Sequence, residues 1–472
     1  MYSEPVAPVR PENLAGNKNE IEPRMAVVFD ETRDIPTISR GQSAEKLPRT
    51  TLCLDTGTPL PPPENMRHPE TQEEIDAVYR ETIRGGVIDH HSIDATVDIP
   101  TEKRRCTTTM LADFPEDVLA MMKGRGTDRV TSHFDSDLDS LCATYLAKSL
   151  LQHGQLPSLA KKISEHVNKV DYGGFDEKDP EKFTKSLIGI NSSLENVLFA
   201  RRDAELDTIW KNPNATREEK IKLSGLAKNR YQCLHLKYFF DFLNAAEARN
   251  QSEPGSVDLL DLDPEKLGLE PELKEILDEG RLRVKEDFVK FESVFAKAEK
   301  TRMTVKDRMG NDRDVELIVI DLTGQTDLHP LAVTYMSYVR VPPDSIIAVY
   351  AGPDRKKGGD HYDIGMKPES TEIFDLKFLE KFMNQAEAEM RGPIIAKLEA
   401  EEADGTISEE NRLKLAKWKM LRPGFESTGL GDPTVSVAGN SLIAASTTSL
   451  LDFKGFRSAL EKARQGQSQA QG

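Results

Sequence analysis

The chain of 472 residues is poor in cysteine, in aromatics and in long apolar runs, and each shortage excludes something. Its four cysteines, Cys53, Cys106, Cys142 and Cys233, are widely spaced with no CxxC pair. That spacing argues against a disulfide scaffold and a zinc ribbon, and for reduced thiols. Aromatic residues make up 6%, thin material for a surface that stacks the bases of a single strand. No stretch approaches the roughly 20 uncharged apolar residues of a membrane span, and the opening MYSEPVAPVRPENLAGNKNE lacks the apolar core of a signal peptide. A cytoplasmic protein without a membrane partner is expected. Positive charge is outweighed, since 63 Lys and Arg against 80 Asp and Glu leave a formal −17. Such a field repels long polyanions unless a basic groove or bound cations reverse it locally.

What remains suffices to fold, at three times the commonest domain size with 30% charged and 38% hydrophobic residues. Residues 1–24 are rich in Pro, Glu and Asn with no sustained apolar period, and a tail is expected over residues 1–45. From 46 to 178 short apolar runs alternate with helical stretches: Thr51-Leu52-Cys53-Leu54, Gly86-Val87-Ile88 and Arg129-Val130-Thr131. Each run ends in polar or acidic residues, which predicts βα units around a parallel sheet. Leu138, Leu141, Tyr145, Leu146, Ala147 and Leu150 predict a helix after the third run, and Pro157 opens another reaching about Val170. Residues 179–306 read as almost wholly helical, an insert or linker domain. Thr216 before Glu218 and Glu219 predicts an N-cap there, and helical periodicity places Trp210, Tyr231, Phe239 and Phe240 in a core. Strand signals return at Val315–Ile320 and Ser345–Tyr350 with a helix from His329-Pro330 between them, and a charged helix from about Asp375 to Trp418 follows. A second, smaller α/β domain is thus expected over 307–472, frayed at its Gln/Gly-rich end. The fold class expected is α/β, and no repeat of fixed period is present.

The chemistry concentrates at the strand ends, where open parallel sheets bind ligands. Gly85-Gly86-Val87-Ile88-Asp89-His90-His91 delivers an aspartate and two imidazoles from a chain with only nine histidines. Val130-Thr131-Ser132-His133-Phe134-Asp135-Ser136-Asp137-Leu138-Asp139-Ser140 follows a second run. Alternate residues of an extended segment share a side, so His133, Asp135 and Asp137 converge, and carboxylates so crowded call for a cation between them. Asp139 and Ser140 read instead as capping the helix that follows. Leu52-Cys53-Leu54-Asp55 and Val170-Asp171-Tyr172-Gly173-Gly174 each add one carboxylate.

Together these four segments, spanning about residues 50–175, resemble the DHH phosphoesterases, which hold two divalent metals with a DHH triplet, an H/D-x-D-x-D-type segment and two further aspartates. The order differs from the usual one, because Asp55 and the triplet precede His133, which implies a circularly permuted DHH-like core. By the resemblance, His133 and Asp135 would ligate one metal, Asp137 and His90 the other, and Asp55 and Asp171 would bridge or complete the pair. His91 would face the substrate phosphate, and Asp89 would support the imidazoles and fix their tautomer. Two cations are implied, manganese first with magnesium or cobalt as alternatives, since oxygen-rich ligation with a few imidazoles suits such ions.

DHH enzymes also carry a C-terminal substrate domain with a Gly-Gly-His-type loop. Gly358-Gly359-Asp360-His361 looks like a shifted version, as does Gly429-Leu430-Gly431-Asp432 near Gly439-Asn440-Ser441. Arg355 and Lys356, with Lys357, would neutralise phosphate beside the first loop. Arg355, Lys356, Gly358, Gly359 and His361 are therefore the candidate substrate contacts. The resemblance implies metal-dependent hydrolysis of a phosphoester or phosphoanhydride in a small phosphorylated compound, nucleotide or short oligonucleotide. Long nucleic acid is disfavoured by the net charge. Two alternatives stand beside this reading: a non-catalytic binding or regulatory protein that keeps the fold, and an exonuclease of single strands.

Overall fold

The computed structural model describes residues 50–55, 64–132, 137–307, 309–325, 328–354, 359–367, 370, 377–409, 411–412, 415, 435–438, 442–445 and 451–469. The first unit is built on three short parallel strands, β1 (Thr51–Leu54), β2 (Val87–Ile88) and β3 (Arg129–Ser132), in the order β2-β1-β3. Their register pairs Leu54 with both Ile88 and Ser132, so all three strands end at the same edge. This is the arrangement that the three apolar runs predict.

Helices connect and cover these strands. α1 (Gln72–Gly85) starts at a capping box in which Thr71 accepts from the Glu74 amide while Glu74 reaches back to the Thr71 amide. It stops at Gly86, whose φ of 82° suits glycine and over which the Arg125 guanidinium lies. Then come α2 (His91–Thr96), α3 (Thr107–Asp113), α4 (Pro115–Arg125), α5 (Leu138–His153) and α6 (Ala160–Asp171). Leu52, Leu54, Ile88 and Val130 pack with Ile75, Val78, Leu141 and Leu146 in the core.

The helical stretch follows as α7 (Pro180–Phe183), α8 (Leu187–Lys211), α9 (Arg217–Ser252) and α10 (Pro271–Phe295). Thr216 caps α9 as expected, and Glu219 completes a second capping box. Phe239 and Phe240 are buried and Tyr231 is half-buried. Trp210 departs from the expectation and is half exposed, because it sits in the last turn of α8, beyond the part of that helix that packs.

Residues 299–306 differ from the helical expectation. They form β4 (Glu299–Lys306), which pairs antiparallel with β5 (Asp312–Asp321). β4 is an edge strand whose buried side chains are only Met303 and Val305, so its charged remainder hides the strand alternation. After α11 (Pro330–Arg340) come β6 (Ser345–Asp354), parallel to β5, and β7 (Gly359–Gly365), antiparallel to β6. α12 (Lys377–Ala403), β8 (Val435–Ala438), β9 (Leu442–Ala445) and α13 (Phe453–Gln469) complete a mixed six-stranded sheet and its cover, in the order β4-β5-β6-β7-β9-β8.

Side-chain alternation gives the second sheet two buried faces. Ile318, Ile320 and Val349 join the core shared with the helices and the first sheet. Leu317, Val319, Ile346 and Ala348 join a separate core under α12 and α13, with Leu379, Met383, Phe456 and Leu460.

Candidate metal centre

The shared edge of the first sheet carries the cluster. Asp55 follows β1, and its amide donates to the Ile88 carbonyl at 3.0 Å. Its φ of +48° is one that non-glycine residues seldom adopt, and such strain persists where surrounding structure holds it. Asp89, His90 and His91 follow β2, and α2 begins directly after His90. Asp171 is the last residue of α6.

His90 sits at the middle of this cluster and is 5% exposed. Its Nδ1 is 2.9 Å from Asp94 Oδ2, and the Tyr172 hydroxyl donates to that same oxygen at 2.9 Å. Arg104 approaches the other oxygen of Asp94 at 3.8 Å. With its proton held at Nδ1, neutral His90 turns the Nε2 lone pair toward Asp171 Oδ2 at 3.4 Å, Asp55 Oδ1 at 3.7 Å and Asp139 Oδ2 at 3.8 Å. Nε2 has no hydrogen-bond partner among the described residues. A lone pair facing three carboxylates is repulsive unless a cation lies between them, either a proton or a metal ion. The distances favour the larger ion, because all three exceed a hydrogen bond yet fit ligands spread around one centre with bonds of about 2 Å.

The electrostatics of the cluster show the same need for positive charge, which either a proton on His90 or a metal ion would supply. Burial first, then the Asp55 charge, raises the Asp139 carboxyl above its ordinary range. Burial also raises Asp171, with the Asp139, Asp137 and Asp55 charges adding to it and His90 opposing. For His90, burial works against protonation, but the Asp171, Asp94 and Asp139 carboxylates outweigh it and raise its pKa well above the usual 6.5. A divalent cation would relieve this crowding. Asp55, His90 and His91 form one group whose ligand atoms lie within 4.8 Å of one another, and His90, Asp139 and Asp171 form a second. These buried Asp and His groups could hold a metal ion.

His91 has a different setting. Its Nδ1 lies 2.9 Å from Asp89 Oδ1 and 3.2 Å from Asp55 Oδ1, and its backbone amide also donates to Asp89 Oδ1. Nδ1 therefore carries the proton, and the side chain is 36% exposed. Burial opposes its charge, but Asp55 and Asp89 raise its pKa to about 9. For Asp89, burial is overcome by the His91 hydrogen bond and charge, so its carboxyl falls below the ordinary range.

The structure thus gathers Asp55, Asp89, His90, His91 and Asp171. His133 and Asp135 lie outside the described residues, as do Arg355, Lys356, Gly358 and the loops at 429–432 and 439–441. The helix cap falls on Asp137, whose Oδ1 accepts from the Ser140 amide at 3.0 Å, not on Asp139 as expected. Asp139 turns inward instead. It accepts from the Thr107 and Thr108 amides at the start of α3, at 2.9 and 2.7 Å, and faces His90. Gly359 and His361 lie in β7, paired with Asp354 and Gly352 of β6.

Sequence reasoning also missed Asp94, although its i,i+4 spacing from His90 across the first turn of α2 was a usable signal. Tyr172 carried a weaker one, as the neighbour of Asp171. Nothing in the sequence announced the cleft that opens beside Asp137, Asp139 and Asp171, a cavity of about 1250 Å³ whose other walls come from α8, α10 and α11.

No protein-family model, no curated protein and no solved structure matches the chain. Among the described residues no helix is long and apolar enough to cross a membrane.

Proposed function

We propose that the protein is a DHH-type phosphoesterase that hydrolyses a phosphoester or phosphoanhydride bond with divalent metal, manganese in preference to magnesium or cobalt. The observation that carries this reading is the buried Nε2 of His90, aimed at three carboxylates with its other nitrogen held by Asp94. Asp55, His90, Asp139 and Asp171 would hold the ions. When bound, a pair of such ions lowers the pKa of water and stabilises charge on a phosphoryl group.

The chain supplies the rest. Asp94, braced by Tyr172, holds the His90 proton at Nδ1 and so keeps Nε2 basic. Asp89 holds the His91 proton at Nδ1 and sets the ring at the edge of the cluster, where a half-exposed imidazolium meets a phosphate oxygen. The cleft beside Asp139 and Asp171 admits the remainder of the substrate and restricts bulk water. Oxygen-rich donors with one or two imidazoles match a hard divalent ion, and the buried thiols of Cys53, Cys106 and Cys142 stay protonated.

The test is manganese-dependent release of phosphate from a general phosphoester by the purified protein. Chelation, His90→Ala and Asp139→Asn should each abolish it. Activity that survives either substitution overturns the assignment.

A further inference from the structure

The walls of the cleft narrow the substrate. Its head is the Asp137, Asp139 and Asp171 end, where bound cations would meet one phosphate. Away from the head, the described side chains of α8 and α10 set five carboxylates, Glu195, Asp203, Glu279, Glu286 and Asp287, against three cations in the lining, Arg202, Arg283 and Lys290, with Arg201 outside it paired to Glu279 at 2.8 Å, so one carboxylate remains in excess. Each cation of the lining has a carboxylate neighbour on its own helix: Arg202 with Asp203 at 3.2 Å, Arg283 with Glu279 at 2.8 Å and Lys290 with Asp287 at 3.8 Å. His329, at the start of α11, adds no charge at neutral pH, because burial lowers its pKa to about 4.

An ionised phosphate offers only acceptor oxygens, and here it would meet a wall with an excess of negative charge. Hydroxyl groups donate as well as accept, and carboxylate and amide oxygens are their natural partners. Glu195 and Asn196 supply such oxygens on α8. Phe199 and Leu282 add apolar surface suited to the C–H face of a ring or a carbon chain.

We infer that the site takes the monophosphate ester of an uncharged, hydroxyl-rich compound, a sugar or polyol phosphate, and that the helical wall refuses a second phosphate; this rests on the phosphoesterase reading above. The helices that read as an insert then form the specificity surface.

The experiment compares kcat/KM of the full chain with manganese for a hexose phosphate, glycerol phosphate, a nucleoside monophosphate, pyrophosphate and linear triphosphate. The hexose or glycerol phosphate should exceed pyrophosphate and triphosphate by about tenfold, the lower end of what charge focusing in a cleft gives. The same panel is run on Glu286→Lys, an exposed position whose replacement spares the core. Its preference ratio should move toward pyrophosphate while calorimetric manganese binding is unchanged. Preference of the natural chain for pyrophosphate, triphosphate or the nucleotide overturns the inference and leaves the phosphoesterase reading standing, as does an unmoved ratio in Glu286→Lys. No turnover of any member, with or without manganese, overturns both.

Discussion

At the scale of single residues, the cluster depends on side chains that touch no substrate. Asp94 holds one nitrogen of His90 so that the other can face the carboxylates. Removing its charge while keeping its shape, in Asp94→Asn, should weaken manganese binding by about 10–100-fold, the usual effect of losing such a support. Isothermal titration calorimetry reads it directly, and unchanged affinity would mean that His90 needs no such brace. A second buried histidine makes a prediction about pH. His235 is fully buried, its Nε2 bonded to Asn191 Oδ1 at 2.9 Å, and burial with the nearby Arg202 charge lowers its pKa to about 3. The unfolded chain takes up this proton below about pH 6.5 and the folded one does not until about pH 3. Stability therefore falls as pH drops through that window, by about 1.4 kcal/mol per pH unit for this one group. Urea denaturation at pH 7, 6, 5 and 4 should show a shallower decline in His235→Gln than in the natural chain.

At the scale of elements, two glycines predict opposite outcomes. Gly280 on α10 lies so close to α8 that a Cβ would overlap the Ser193 carbonyl, whereas a Cβ at Gly225 on α9 would meet nothing within 4 Å. Gly280→Ala must push apart two walls of the cleft and should cost about 1–3 kcal/mol. Gly225→Ala should instead stabilise by about 0.5–1 kcal/mol, through helix propensity alone. Thermal unfolding of the two variants separates the effects by sign. The elements also show what a sequence can disclose. β1, β2 and β3 were legible because each is a short apolar run closed by polar residues, and α5 because Leu138, Leu141, Tyr145 and Leu146 recur at helical spacing. The choice between Asp137 and Asp139 was not legible. A shift of two residues in where α5 begins decides which carboxylate caps the helix and which turns inward. β4 was hidden for a different reason, since an edge strand with charged outward residues carries little apolar alternation.

At the scale of the whole molecule, one core runs from Leu52 and Leu54 through the helices to Ile318, Ile320 and Val349 of the second sheet. The helices that read as an insert are thus packed into that core, and they place α8, α10 and α11 opposite Asp139 and Asp171. Contacts between residues so far apart in sequence leave no local pattern, which is why the strand-end half of the site could be read in advance and the cleft wall could not. The central claim is that strand ends and helix ends meet around a metal at His90. It is tested most directly by diffraction from manganese-soaked crystals, with anomalous scattering recorded at the manganese edge. The expected result is a peak about 2 Å from His90 Nε2 with an Asp55, Asp139 or Asp171 oxygen at similar range. A saturated crystal with no peak there, or with manganese only elsewhere, would contradict it.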